Sequence, residues 1–269
     1  MDAVSGVLET RANPLRVALR SKGERMPQTL SYPPPIVPPS QPRHSSQNAL
    51  LATMEGSALR ALEPFFSTVS IPKGTVVHDV GEEIERVYFP ISGIASLQHI
   101  PKTGRPVDTA LVGREGALGI MAGIARYKAK DRSITRTSLI SITISGLDLR
   151  RFAYEHRGLK TMCINHMDRL LSQTQRNSAR YALLSIDARL SDCLLEASDY
   201  LASDTVPFGH EAIAEMLAVR RTSVTAAASK LRATGIISYS RGTIRILDRG
   251  CLLKLAQGRT KTQPPGRYC

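Results

Sequence analysis

From Val69 to Ile144 the apolar residues fall in short β-branched runs, Thr75 to Val77, Val87 to Phe89, Ile94 to Ile100, Val107 to Val112 and Ser138 to Ile144. Gly74, Gly81, Gly93, Gly104, Gly113 and Gly116 punctuate them. Many short strands at regular turn spacing indicate a sandwich or β-roll. Ahead of this region Leu50, Leu51, Met54, Ala58, Leu59, Leu62, Phe65 and Phe66 recur at helical spacing, and Gly56-Ser57 divides them into two short helices. After it, Leu147 to Leu201 has no proline and glycine only at Gly158. Leu159, Met162, His166, Leu170, Leu171, Leu183, Leu184, Ile186, Leu190, Leu194 and Leu195 supply apolar faces there. The pattern predicts a long helix and then another. A helix of about 20 residues or more leaving a small β domain cannot bury its whole apolar stripe against that domain, so the helix after about Phe152 is expected to pack on its own copy in a symmetric homodimer.

Residues 206 to 247 combine three further signals. Phe208, Gly209 and Ile213 have the spacing of a helix start, with Gly209 at the cap and Phe208 stapled to Ile213. After a turn at Ala218-Val219, a second helix from about Arg221 to Ala233 places Val224, Ala227, Ala228 and Leu231 inward, and Arg221, Thr222, Thr225, Ala226 and Ser229 outward. An outward face of short or basic side chains suits a helix that enters a major groove. Finally, Ile236 to Ser240 and Thr243 to Leu247 alternate around Arg241-Gly242, the signature of a tight hairpin, here a wing.

With these elements in order, the chain resembles the Crp/Fnr family of bacterial regulators over roughly Asn48 to Leu255. GHEAIAEMLAVRRTSVTAAASKLRATGIISYSRGTIRILDR is similar to that family's helix-turn-helix and wing. VGEEIERVYFPISGIASL is similar to the early strands of its cyclic-nucleotide-binding-like β-roll, and LVGREGALGI to the loop that in some members holds a nucleotide. The resemblance implies an α+β chain with an N-terminal antiparallel β-roll (a double-stranded β-helix, jelly-roll-like), a long dimerisation helix and a C-terminal winged helix-turn-helix. It implies a guanine-reading role for Arg221, where a bidentate guanidinium pairs with O6 and N7. Thr222 and Ala226 replace a Glu and an Arg that help read the half-site in well-known members, and Ala218 stands where a turn glycine is usual. The candidate DNA contacts are Arg220, Arg221, Thr222, Ser223, Thr225, Ser229, Lys230, Tyr239 and Arg241.

For the sensor, the resemblance implies an effector pocket around Gly116, Gly119, Arg132 and Ser133. Gly119 is followed by Ile120, so the carboxylate that takes the ribose in nucleotide-binding members is missing. Arg132-Ser133 is similar to the phosphate-binding pair, at a shift of a few residues relative to the strand that follows. Cyclic nucleotide is therefore disfavoured, and no cofactor is expected. An iron–sulfur centre on an N-terminal cysteine cluster is excluded because the first cysteine is Cys163.

The chain's 269 residues suffice for two modest domains. The expected division is a Pro-rich disordered tail over 1–47, which holds eight of the sixteen prolines, the roll over 48–150, dimerisation and linker helices over 151–202, the DNA-binding domain over 203–255 and a flexible tail over 256–269. A formal charge of +13 favours polyanionic partners, and double-stranded DNA is the first candidate. RNA polymerase is the expected protein partner. The longest apolar candidate, Thr137 to Leu147, is interrupted by polar residues and stops at Asp148, and no secretory signal opens the chain, so no membrane partner is expected and the location is read as cytoplasmic. The scattered Cys163, Cys193, Cys251 and Cys269 lack zinc or dithiol spacing. No nucleophile, base and orienter set can be assembled, and GREGALG lacks a phosphate-loop ending, which argues against an enzyme. The competing reading is an allosteric ligand- or protein-binding module whose winged helix is a protein-interaction surface.

Overall fold

The computed structural model of the protein describes residues 47–102 and 106–258. The tail expected over 1–47 lies outside the described residues apart from Gln47, as do residues 259–269. The N-terminal half opens with a short helix, Gly56–Leu62 (α1), flanked by single 3-10 turns. Strands Ser67–Ile71 (β1), Val76–His78 (β2), Arg86–Ser92 (β3), Ala95–His99 (β4), Val107–Val112 (β5), Arg132–Thr135 (β6) and Leu139–Ser145 (β7) follow. They form two antiparallel sheets with strand orders β1-β7-β3 and β2-β6-β4-β5. Because side chains alternate along a strand, β3 serves two layers. Tyr88 joins Val69, Ile71 and Leu139 from its own sheet and Ala95 and Val112 from the other, closing the space between the sheets. Val87 and Phe89 pack with Leu62, Leu149, Leu159 and Cys163, so helices cover the outer face of the three-stranded sheet.

Three helices connect the halves where two were expected. Gly146–Glu155 (α2) starts on Ser145, whose hydroxyl accepts from the Asp148 amide at 3.0 Å. His156 then turns extended (φ −115°, ψ 100°), and Arg157–Leu183 (α3) runs on for 27 residues. Ser185 caps Ile186–Leu201 (α4), which ends where Ala202 turns left-handed. Gly158, the glycine of this stretch, lies two residues past the His156 break, in the first turn of α3.

The C-terminal part comprises Thr205–Val206 (β8), His210–Met216 (α5), Arg221–Ala233 (α6), Ile237–Ser240 (β9), Thr243–Ile246 (β10) and Arg249–Gly258 (α7). Its core gathers Leu190 and Leu194 of α4, Phe208, Ile213, Val224, Leu231, Ile244 and Leu252. Ile94 and Leu111 of the roll belong to the same cluster, so this head is docked on the sheets. Strands β1, β6 and β8 and helix α7 depart from the pattern-based expectation. The sequence of β6, Arg-Ser-Ile-Thr, has a single large apolar residue, and β8 is two residues long; both are held by their partner strands, β6 by β2 and β4 and β8 by β10. Helix α7 carries the chain to Gly258, past the 255 boundary, and Arg249 ties it to Asp199 and Ser198 of α4. Among the described residues no helix is long and apolar enough to cross a membrane.

Two imidazoles are sealed between these layers. His78 Nε2 lies 3.0 Å from the Arg86 carbonyl, and burial drives its pKa down to about 4 against the raising effect of that bond. His166 of α3 lies 3.1 Å from the Ala117 carbonyl; burial, with Arg169 nearby, likewise brings it to about 4. Both are neutral in the folded state at pH values where the unfolded chain, with its ordinary pKa of 6.5, takes up protons. Their stabilising neutrality is complete above pH 6.5 and is lost as pH falls towards about 4. Urea melts in that window should show unfolding free energy falling by up to about 1.4 kcal/mol per pH unit for each imidazole. His166→Gln should remove close to half of the slope; an unchanged slope would show that another group titrates there.

Candidate nucleic-acid interface

Helix α5 begins on Gly209, which has no side chain to cap it, and ends at Met216. The turn to α6 closes with the Ala218 amide on the Glu215 carbonyl and the Val219 amide on the Ala214 carbonyl, at 3.1 and 3.0 Å. That geometry needs a left-handed residue, and Ala218 supplies it at φ 51°. An alanine there keeps its Cβ close to the following carbonyl, at a cost of about 1–2 kcal/mol. Helix α6 then buries Val224, Ala227, Ala228 and Leu231 and leaves Arg221, Thr222, Thr225, Ala226 and Ser229 exposed. The hairpin pairs Thr243 with Ser240 and Ile246 with Ile237. Its two-residue turn puts Arg241 at φ 45° and Gly242 at φ 81°, positive at both central positions as a twisted hairpin requires.

The candidate contacts lie along one connected surface, with differing local ties. Arg220 is the extended N-cap of α6 and is exposed. Arg221 is exposed and stands 3.7 Å from Glu211 of α5, a surface pair of little energetic weight. Thr225 Oγ1 meets His210 Nδ1 at 3.1 Å. Burial, then the charge of Arg221, lowers the pKa of His210. The His210 ring packs edge-on against Tyr239 at 5.0 Å, and the Arg232 guanidinium lies over the Tyr239 ring at 4.9 Å. Hydrogen bonds with Ser229 and Arg232 hold the Tyr239 phenol below its ordinary range. The recognition helix, the wing and α5 are thus joined through one tyrosine. Ser223 is half-buried, Thr222 and Ser229 are exposed, and Arg241 projects from the hairpin tip. Lys230 differs from the rest: its ammonium is paired with Asp187 of α4 at 3.2 Å, which draws it to the linker side. His210 and Arg232 belong to this surface although neither was a candidate; the pairing of His210 with Thr225 and Tyr239 is tertiary and leaves no mark in the local pattern.

A second site lies in the roll. A cleft of about 510 Å³, part of it open to solvent, is lined by β-roll residues and by Met167 and Leu170 of α3. Of the four candidate effector residues, Gly119 and Ser133 line it. Gly119 is left-handed at φ 77°, and a Cβ there would come within 2.8 Å of His78 Cε1 and Ile84 Cγ2. Gly116 instead sits under His166, where a Cβ would come within 2.8 Å of the ring. Arg132 and Ser133 open β6 itself rather than preceding a strand, and the Arg132 guanidinium is forked onto Asp79 at 2.9 and 3.0 Å. Burial raises the Asp79 pKa, but this fork outweighs it and leaves the carboxyl below its usual range. Arg132 is therefore compensated by a protein carboxylate.

Residues 188–255 match the family described as the Crp-like helix-turn-helix domain. A global nitrogen regulator from Synechocystis sp. (strain PCC 6803) is 25% identical over 179 residues, covering 62% of this chain and 78% of its own. The fold is similar to that of a transcriptional regulator of the Crp/Fnr family from Eubacterium rectale, at TM-score 0.62 and 18% identity over 79% of this chain and 99% of that one. It is also similar to FixK2 from Bradyrhizobium japonicum, at TM-score 0.62 and 16% identity over 71% and 96% of the two chains.

The strained turn offers a direct check on the geometry of the interface. Ala218→Gly relieves the left-handed Cβ while loosening the unfolded chain, for a net gain of about 0.5–1 kcal/mol. A thermal melt should register the gain, and DNA affinity should not change because Ala218 lies in the turn before α6 and not on its exposed face.

Proposed function

We propose that the chain is a Crp/Fnr-type transcriptional regulator rather than an enzyme, and that it acts as a two-fold homodimer on a near-palindromic operator under the control of its N-terminal roll. The observation that carries this reading is the surface of α6, apolar and buried on one side, short and basic on the other, with the Arg241 turn beside it. Arg221 is the long donor among the outward residues at the start of the helix and reads a guanine in each half-site. Arg241 contacts phosphate and sets position without reading sequence. Support for the dimer comes from α3. Ile164 and Leu171, seven residues apart and so on one side of the helix, are 53% and 56% exposed, and Ser178 and Ala182 continue that side with small residues. A second copy of α3 would cover them. The half-sites then lie about 34 Å apart, one turn of the duplex. The cytoplasm is the compartment that fits this work, and RNA polymerase the protein partner.

Arg221→Ala is expected to cost about 1–3 kcal/mol on the operator and to relax preference at one base pair per half-site. Arg241→Ala should weaken operator and scrambled duplex alike and reduce the salt slope by about one phosphate's worth. Fluorescence titrations of both variants on both duplexes at two salt concentrations separate the roles; equal losses for Arg221→Ala on the two duplexes would make it a phosphate contact. In light scattering at micromolar concentration the native chain should run as a dimer and Leu171→Lys should shift it towards monomer. A native monomer would defeat the dimer reading.

A further inference from the structure

We propose that the cleft between the roll and α3 binds a small, uncharged, largely apolar ligand that donates one hydrogen bond to His78. This rests on the reading of the roll as the sensor of a DNA-binding regulator and deepens it by naming the ligand class. Ile84, Leu97, Ile120, Met121, Met167 and Leu170 form the apolar part of the wall, the kind of lining on which small-molecule sites are built. The guanidinium expected to take an anionic ligand, Arg132, is forked onto Asp79 and is not part of this wall, and Lys130 joins the lining from an exposed position. Ile120 is buried at the position after Gly119 and offers no acceptor for a sugar hydroxyl. A nucleotide would thus meet neither a carboxylate after Gly119 for its ribose nor an uncompensated guanidinium for its phosphate, which is costly for buried polar and charged groups.

Among the polar side chains of the wall, His78 is the one with a buried atom that lacks a hydrogen-bond partner. Its Nε2 faces a carbonyl oxygen at 3.0 Å, so Nε2 carries the hydrogen and donates. Nδ1 is left as a bare lone pair, buried and without a hydrogen-bond partner. Such an acceptor is satisfied by an O–H or N–H donor and by nothing apolar. The low pKa of the ring, about 4, keeps it neutral and accepting at physiological pH. Gly119 holds the ring in place, since any side chain there would press on Cε1. Met121 and Met167 are the adaptable side chains of the wall and make room for an entering ring. Met167 and Leu170 stand on the same helix as Ile164 and Leu171, so occupancy of the cleft acts on the helix that carries the proposed dimer face.

Calorimetry on the full chain without DNA tests this with three probes: indole, which is small and apolar and has one N–H; naphthalene, of similar shape with no donor; and cyclic AMP. Indole should bind at least tenfold more tightly than naphthalene, equivalent to about 1.4 kcal/mol, and cyclic AMP at millimolar concentration should give no heat. His78→Phe should keep naphthalene binding and abolish the advantage of indole. Should that variant not fold, 15N spectra of the native histidines serve instead, with the Nδ1 resonance of His78 moving on addition of indole and not of naphthalene. Equal binding of indole and naphthalene, absence of binding by both, an unmoved Nδ1 resonance or micromolar binding of cyclic AMP would each overturn the proposal. Gel shifts on the same preparation keep the two readings apart. DNA binding without indole discrimination removes the ligand class alone, whereas indole discrimination without DNA binding removes the operator reading and leaves the cleft.

Discussion

The guanidinium of Arg136 is buried at the meeting point of the roll and the DNA-binding head, and the arrangement of the two halves depends on how its charge is met. Asp108 of β5 takes it through both carboxylate oxygens, at 2.5 and 3.1 Å, and the Ser96 hydroxyl accepts at 2.8 Å. The third partner, Glu215 at 2.9 Å, comes from α5 in the head. Burial opposes the charge, but the two carboxylates outweigh it and hold Arg136 above its ordinary range. The buried pair of Arg136 and Asp108 adds little net stability over an apolar replacement, yet removing Asp108 would strand the guanidinium at a cost of about 3–5 kcal/mol. Its effect is therefore on geometry: the half-exposed Glu215 ties the head to a cation whose position the roll already fixes.

The same junction completes the end of α5, whose last carbonyls have no partners within their own helix. The Tyr181 hydroxyl lies 3.0 Å from the Met216 carbonyl and 3.0 Å from the Asp108 carbonyl, bridging head and roll, and Arg189 donates to the Leu217 carbonyl while lying 4.7 Å over the Tyr181 ring. Tyr181 belongs to α3, whose Asn177 also donates to the Thr109 carbonyl of β5 at 3.0 Å. One helix thus touches the cleft through Met167 and Leu170, presents Ile164 and Leu171 to the outside and holds the helix-turn-helix through Tyr181. A displacement of α3 is felt at all three places because the contacts are made by one rigid element.

Much of this was legible in the chain where the forces are local. The span of α6 and its inward residues follow from period 3.6, and the hairpin from alternation around a Gly-containing turn, because helix faces and two-residue turns are decided by neighbours in sequence. The elements that escaped depend on partners far along the chain. Strand β6 exists because β2 and β4 flank it, and Arg132, which looks like a free anion ligand, is neutralised by Asp79, 53 residues away. Lys230 reads as a groove-side cation until Asp187 is seen beside it, and the split of the long helical run at His156 is hinted at in sequence by Gly158 alone. Burial of His78 and the empty lone pair on Nδ1 are likewise consequences of layer packing, for which a lone histidine in a strand gives no signal.

The composition of α6 also bears on the proposed dimer. Thr222, Thr225, Ala226 and Ser229 present methyl and hydroxyl groups, which meet a thymine methyl or a single base edge, whereas Arg221 alone on that outward face can make a bidentate pair. One such pair is worth about 1–3 kcal/mol of discrimination. Separating an operator from bulk DNA takes about 4–10 kcal/mol, so a single head falls short. Two heads on the proposed two-fold axis would double the base readout and add a fixed spacing that random sequence rarely meets. The basic wing and the Arg220 N-cap supply non-specific affinity, which raises binding everywhere and cannot close the gap. What remains must come from the shape of the DNA between the half-sites, where the cost of bending depends on base pairs the protein never touches. A docked head of fixed orientation suits that form of readout, since a loosely held pair of heads would follow the duplex instead of imposing a bend on it.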